Sequence, residues 1–135
     1  MAHHIVDLMR DEAAAAAGGD EDRWLSHYTA DAVFRYPGSN PLAGEYRGHA
    51  GLREWRRKRG EVAAKAHLTA ELHDVLGSAE HGVQLYRVTA EKGSRRAEWR
   101  GTAVCHVRDG RISDLWVFVD PQSVVDEFLT WAADS

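Results

Sequence analysis

The sequence predicts an α+β domain, with helices gathered in its first half, alternating strands in its second, and one closing helix. Apolar residues recur at helical spacing near the N-terminus and again across "HAGLREWRRKRGEVA" (49–63). From His67 the period changes to two, and "DPQSVVDEFLTW" returns to a helical pattern. Helices that precede a run of strands must cover one face of the sheet those strands form. With 135 residues, 44% of them hydrophobic and 28% charged, residues 1–135 suffice for a single domain. Such a domain buries roughly two thirds of its unfolded surface.

Taken in order, Ile5, Leu8, Met9, Glu12, Ala13 and Ala16 share one helical stripe, and Gly18-Gly19 ends that first helix. The stripe therefore carries a carboxylate. Asp20 is placed to cap a second helix containing Trp24, Leu25 and Tyr28, after which "DAVFRYPG" reads as a short strand with Pro-Gly punctuation. Pro41 to Gly48 reads as a loop before the third helix. "HLTAELHDVLGS", "HGVQLYRVTAEKG", "RRAEWRGTAVCHVRDGR" and "ISDLWVFVD" are four consecutive strands, hence an antiparallel meander. Asp120 as cap and Pro121 at the first helical position open a short terminal helix. A sheet of this kind twists and curls, and its concave side is where a ligand is expected.

The net charge of −4 and pI near 6.0 argue against a polyanionic partner such as nucleic acid. The five basic residues of "REWRRKR" (53–59) are either an anion patch or the solvated face of a helix whose inner face carries Leu52, Trp55 and Val62. Cys105 is the only cysteine, so no disulfide forms within the chain and a reducing interior fits. The N-terminal residues lack a signal-peptide pattern and nothing approaches the ~20 apolar residues of a membrane span. A cytoplasmic protein is expected. His67, Glu71 and His73 are either a metal-binding set or a polar outer sheet face, without an HExxH signature. There is neither a Gly-rich phosphate loop nor a nucleophile elbow.

"GDEDRWLSHYTADAVFRYPGSNPLAGEYRGHAGLREW", "ELHDVL", "CHVRDGRISDLW" and "VDPQSVVDEF" together resemble the SnoaL-like branch of the nuclear transport factor 2 and ketosteroid isomerase superfamily. The resemblance implies a cone-shaped barrel: a curved, mostly antiparallel sheet closed by three N-terminal helices and a short C-terminal helix. It also implies a deep apolar pocket, a homodimer through the outer sheet face, and neither metal nor organic cofactor. The isomerases place an aspartate base before the lip proline, where this chain has Tyr36. Their oxyanion tyrosine falls near Glu12 and their protonated aspartate at Ala103. Many SnoaL-like chains have a histidine where Arg35 stands, and acids or histidines where Val117 and Phe118 stand.

The chemistry must therefore come from the residues present. A carboxyl in an apolar pocket, such as Glu12, has its charged form destabilised and becomes a usable acid or base near neutrality; otherwise Glu12 meets solvent or an arginine. Tyr36 either donates to a carbonyl or developing enolate, or simply lines the pocket. Arg87 alternates in phase with Val83 and Leu85 and so points into the hollow, unless a slip of one residue turns Tyr86 inward instead. Asp120 is a second carboxylate or only a helix cap. Trp99, in alternation with Gly101, Ala103 and Cys105, gives one large residue followed by small ones, a wall for a flat ligand. Tyr28, Phe34, Trp55, Leu85, Ala103 and Val117 complete the expected lining. The expected function is cofactor-free proton transfer beside a carbonyl of a hydrophobic polyketide- or steroid-like substrate, as in cyclases and isomerases. The alternatives are a ligand-binding or dimerisation module without turnover, and epoxide ring opening.

Overall fold

In the computed structural model, which describes residues 2–134, helix α1 runs from Ala2 to Ala17, and α2 is a single turn and a half, Glu21–Leu25. Asp20 caps α2 by accepting the Arg23 N–H at 3.1 Å. The chain then enters β1 (Tyr28–Tyr36), so Tyr28 opens a strand and does not belong to the second helix. After the lip come β2 (Gly44–Arg47) and α3 (Gly48–Lys65), then the meander β3 (His67–Gly77), β4 (His81–Lys92), β5 (Arg95–Arg108) and β6 (Arg111–Asp120), and finally α4 (Gln122–Asp134). Strand β2 replaces part of the expected loop. It has four residues and a single buried side chain, Tyr46, too few for alternation to show.

The six strands lie in the order β2-β1-β6-β5-β4-β3. β1 pairs with β6 in parallel, and every other pair is antiparallel. The sheet is curved and mixed and remains open, with β2 and β3 at its edges, so helices and not strand closure cover its concave side. Helix α1 packs on β3 and β4, α3 on β1 and β2, and α4 on β5 and β6. Ile5, Met9, Glu12 and Ala15 form the buried stripe of α1, which turns slightly away from Ala13 and Ala16. None of the described helices is long and apolar enough to cross a membrane.

Two groups of core side chains result. Ile5, Met9, Trp24, Tyr28, Phe34, Cys105 and Leu115 fill the end under α1, and Val62, Val88, Trp99, Val125 and Phe128 fill the end under α4. Tyr36, Trp55, Tyr86 and Val119 are partly buried and pack against both. Cys105 lies 3.2 Å from the Met9 sulfur, and burial pushes its thiol up to about 11, which suits an inert core residue. Pro121 accepts the Val125 N–H at 3.3 Å and therefore stands at the cap of α4; Asp120 precedes it, outside the helix. A bulge between Leu72 and Asp74 breaks the strict alternation that would align His73 with His67 and Glu71.

Candidate functional site

The inner face of the sheet is fixed by its register. Val88 stands opposite Trp99, Tyr86 opposite Gly101, Gln84 opposite Ala103 and Gly82 opposite Cys105, while Val119, Val117 and Leu115 continue the last three rows onto β6. Large and small residues face each other across β4 and β5. A Cβ at Gly101 would lie 2.2 Å from ring carbons of Tyr86, so the tyrosine ring occupies the place a side chain would take. Tyr86 thus faces the hollow. Arg87 faces outward, more than half exposed and 3.8 Å from Glu98. Leu85 shares its face and leaves the pocket wall. The inward phase of β4 is carried by a glycine, a glutamine, a tyrosine and a valine, and only the apolar alternation of Val83 and Leu85 was conspicuous in sequence.

Asp120 is exposed and pairs in register with Arg100 on the outer face. With Arg87, Glu98, Trp99, Arg100 and Pro121 it lines an open groove of about 350 Å³. It is not part of an acid and base pair with Glu12. Phe34, Trp99, Ala103 and Val117 are buried on the inner face, and Trp55 closes over them from α3. The Trp55 ring lies 4.6 Å from that of Phe34, 5.8 Å from Tyr36 and 6.4 Å from Trp24.

At the α1 end, Glu12 is 6% exposed and accepts three hydrogen bonds. Trp24 Nε1 and Tyr28 Oη donate to Oε2 at 2.9 and 2.6 Å, and Gln84 Nε2 donates to Oε1 at 2.8 Å. The Gln84 amide also donates to the Met9 carbonyl at 2.7 Å, tying β4 to α1. Burial, reinforced by the adjacent carboxylate, pushes the Tyr28 hydroxyl well above its ordinary value. Trp24 and Gln84 were not anticipated as partners of Glu12: they lie 12 and 72 positions away, and no local pattern links them.

The other end of the hollow gathers Tyr36, Tyr86, Trp55 and Arg59. Burial pushes Tyr36 up to about 12, against the pull of the Arg59 charge, and Asp126 adds to the rise. Tyr86 moves further in the same direction, first through burial, then through Tyr36 and Glu12, again with Arg59 opposing. Its hydroxyl therefore feels both the carboxylate and the guanidinium. The lip is fastened to α4 by Asp126, whose Oδ1 accepts from the Ser39 N–H at 3.1 Å, Asn40 Nδ2 at 2.7 Å and Gln122 Nε2 at 3.0 Å.

These buried phenols give a pH signature. Below about pH 10 they are protonated in both folded and unfolded chains. Above it the unfolded chain loses protons that Tyr28, Tyr36 and Tyr86 retain when folded, so stability falls as pH rises toward 12. Urea midpoints measured from pH 9 to 11.5 should decline, and a Tyr36→Phe, Tyr86→Phe double variant should decline less steeply. Parallel declines would show that these hydroxyls are not held in the interior.

The class the structure defines is an α+β domain whose open, curved sheet carries helices over its concave face and aromatic side chains between them. Residues 9–115 match the SnoaL-like domain, and the chain belongs to that family. Uncharacterized proteins of Mycobacterium tuberculosis and Mycobacterium bovis are 30% identical over 130 residues, covering 94% of this chain and 95% of theirs. Among solved structures, Bal32a from a soil-derived mobile gene cassette superposes with a TM-score of 0.84 at 25% identity, over 95% of this chain and 98% of its own. An NTF2-like protein of Burkholderia xenovorans LB400 gives 0.79 at 23%, over 96% and 98%. A candidate polyketide cyclase of Xanthomonas campestris pv. campestris gives 0.72 at 16%, over 92% and 96%. TerC, co-crystallized with polyporic acid, gives 0.80 at 17%, over 95% and 98%.

Proposed function

We propose that this chain is a cofactor-free enzyme that moves a proton beside a carbonyl of a small hydrophobic, polyketide- or steroid-like substrate, in the manner of a cyclase or isomerase. The observation that carries the reading is the buried Glu12 carboxylate on the α1 side of a wall whose next residue is Tyr86. Oε1 accepts from Gln84 alone, which leaves it a lone pair for a substrate proton. Tyr36 and Tyr86 supply hydroxyl donors for the oxygen on which charge develops. Val117, Ala103 and Trp99 give the apolar wall against which a flat ring system would lie. Arg87 and Asp120, which face outward, have no part in this reading. The names of the candidate cyclase and of TerC with its bound polyporic acid support small-molecule chemistry on this fold.

Proton transfer is tested by incubating the protein in D₂O with cyclic ketones and following loss of the α-proton signal by NMR. Exchange above buffer that Glu12→Gln abolishes supports the reading. Exchange that survives the substitution, or none at all with a bound ketone, ends it. One observation favours binding without turnover: Tyr86 and Trp55 occupy much of the hollow, and three protein donors already engage Glu12. Ligand binding without exchange would select that alternative.

A homodimer through the outer sheet face belongs to the same proposal. Leu76 and Phe118 are 50% and 56% exposed there, beside Val83, Leu85, Val104 and Trp116 in adjoining register positions. Sedimentation equilibrium returning the mass of one chain would end it. The cytoplasmic setting rests on the lone, buried Cys105.

A further inference from the structure

The basic run on α3 is not one surface. Arg53 pairs with Glu21 and Asp22, and Arg57 with Glu54 and Glu61. Arg56 donates to the carbonyls of Ala16 and Gly18, and Lys58 to the Tyr46 hydroxyl. Arg59, half-buried like Arg56 and Lys58, differs in that no carboxylate or carbonyl among the described residues accepts from it. It lies one helical turn from Trp55 and three residues from buried Val62, on the inner side of the helix. The groups whose charges act on it are Tyr36, Tyr86 and a second cation, Arg56.

The surrounding polar groups are also donors. Trp55 Nε1 and Trp99 Nε1 are buried with no acceptor, although Trp99 as a whole is only 4% exposed. Trp99 sits on the next inward-facing row of the β4–β5 ladder beyond Tyr86 and Gly101. Neither the Tyr36 nor the Tyr86 hydroxyl bonds to another described group. Asp126, the one carboxylate acting on Tyr36, is engaged by three donors of the lip and α4. A half-buried cation beside buried, unpartnered indole N–H groups and unbonded hydroxyls is costly to fold unless something supplies the missing acceptors. What is lacking here is an anionic oxygen.

We propose that the pocket binds an aromatic organic acid, its carboxylate held by Arg59 at the α4 end and its ring body lying along Trp55 and Trp99. This rests on the pocket reading above and narrows its ligand class from carbonyl compounds in general to those that carry an acid group. Arg59 offers a planar fork suited to a carboxylate, and its being at the lip side leaves the Glu12 end free for the reacting part of the molecule.

The test compares matched probes: 2-naphthoate against 2-acetylnaphthalene, and anthraquinone-2-carboxylate against anthraquinone, with dissociation constants read from tryptophan fluorescence. The acid of each pair should bind at least tenfold more tightly. Arg59→Met should remove that preference, leaving the neutral probe's affinity unchanged and the melting temperature no lower than wild type, since the folded chain loses no hydrogen bond or ion pair with it. Raising the salt concentration should weaken binding of the acid of each pair and leave the neutral probe unchanged. Equal affinities within a pair, a preference that survives Arg59→Met, or no measurable binding of the acids overturns the proposal. The D₂O exchange assay is read independently. Acid preference without exchange retains this inference and ends the catalytic reading, whereas exchange without acid preference does the reverse.

Discussion

Replacing Glu12 by alanine should cost roughly 3–5 kcal/mol of folding stability, because the change removes the acceptor of three buried donors at once. Gln84 retains the Met9 carbonyl, but Trp24 Nε1 and Tyr28 Oη lose their acceptor inside the core. Relief from burying a charge offsets part of that loss, and the cavity left in the α1 interface adds to it. Glu12→Gln should cost less, about 1–2 kcal/mol, since its amide oxygen can still receive Trp24 and Tyr28 while its NH₂ meets the NH₂ of Gln84. Urea unfolding with far-UV circular dichroism measures both. A loss below about 1 kcal/mol for the alanine variant would mean that the network does not hold α1 to the sheet. The same pair of variants separates stability from chemistry: glutamine preserves the fold well enough for the exchange assay and removes the base.

The three longer helices and the four-strand meander were legible from the sequence because each has a period that repeats over ten residues or more. Glu12 was legible as well, since a carboxylate on an otherwise apolar stripe breaks its own pattern. What the carboxylate bonds to was not, because Trp24, Tyr28 and Gln84 come from three different elements and converge only in the fold. The phase of β4 misled for a related reason. Its inward residues Gly82, Gln84 and Tyr86 are small or polar, and each is chosen by a neighbour: Gly82 by Met9, Ile5 and Cys105, Gln84 by Glu12, and Tyr86 by Gly101. Hydropathy reads burial against a generic apolar interior, and this part of the interior is polar and paired. Arg59 escaped notice within a run of basic residues, four of which are spoken for by carboxylates, carbonyls or a hydroxyl, because composition cannot tell which of five cations is left without an acceptor.

Gly101→Ala puts the Tyr86 assignment under direct strain. A methyl group in a strand is ordinarily neutral or mildly favourable relative to glycine, which loses more chain entropy on folding. Here the added carbon would stand 2.2 Å from Tyr86 Cε2 and Cζ and 2.6 Å from its hydroxyl oxygen. The ring cannot yield sideways, since it packs against both core groups and its own strand is paired on two sides. The expected cost is about 2–4 kcal/mol, with loss of whatever ligand binding depends on the tyrosine hydroxyl. Removing the ring should then remove the penalty: in a Tyr86→Ala background, Gly101→Ala should be close to neutral, giving a coupling of at least ~1.5 kcal/mol in the double-mutant cycle. Additive effects would show that the two residues do not touch, and would return Arg87 to the hollow as the inward residue of β4. Because the glycine, the tyrosine and the outward arginine are linked by strict alternation, one cycle decides the face of the whole strand.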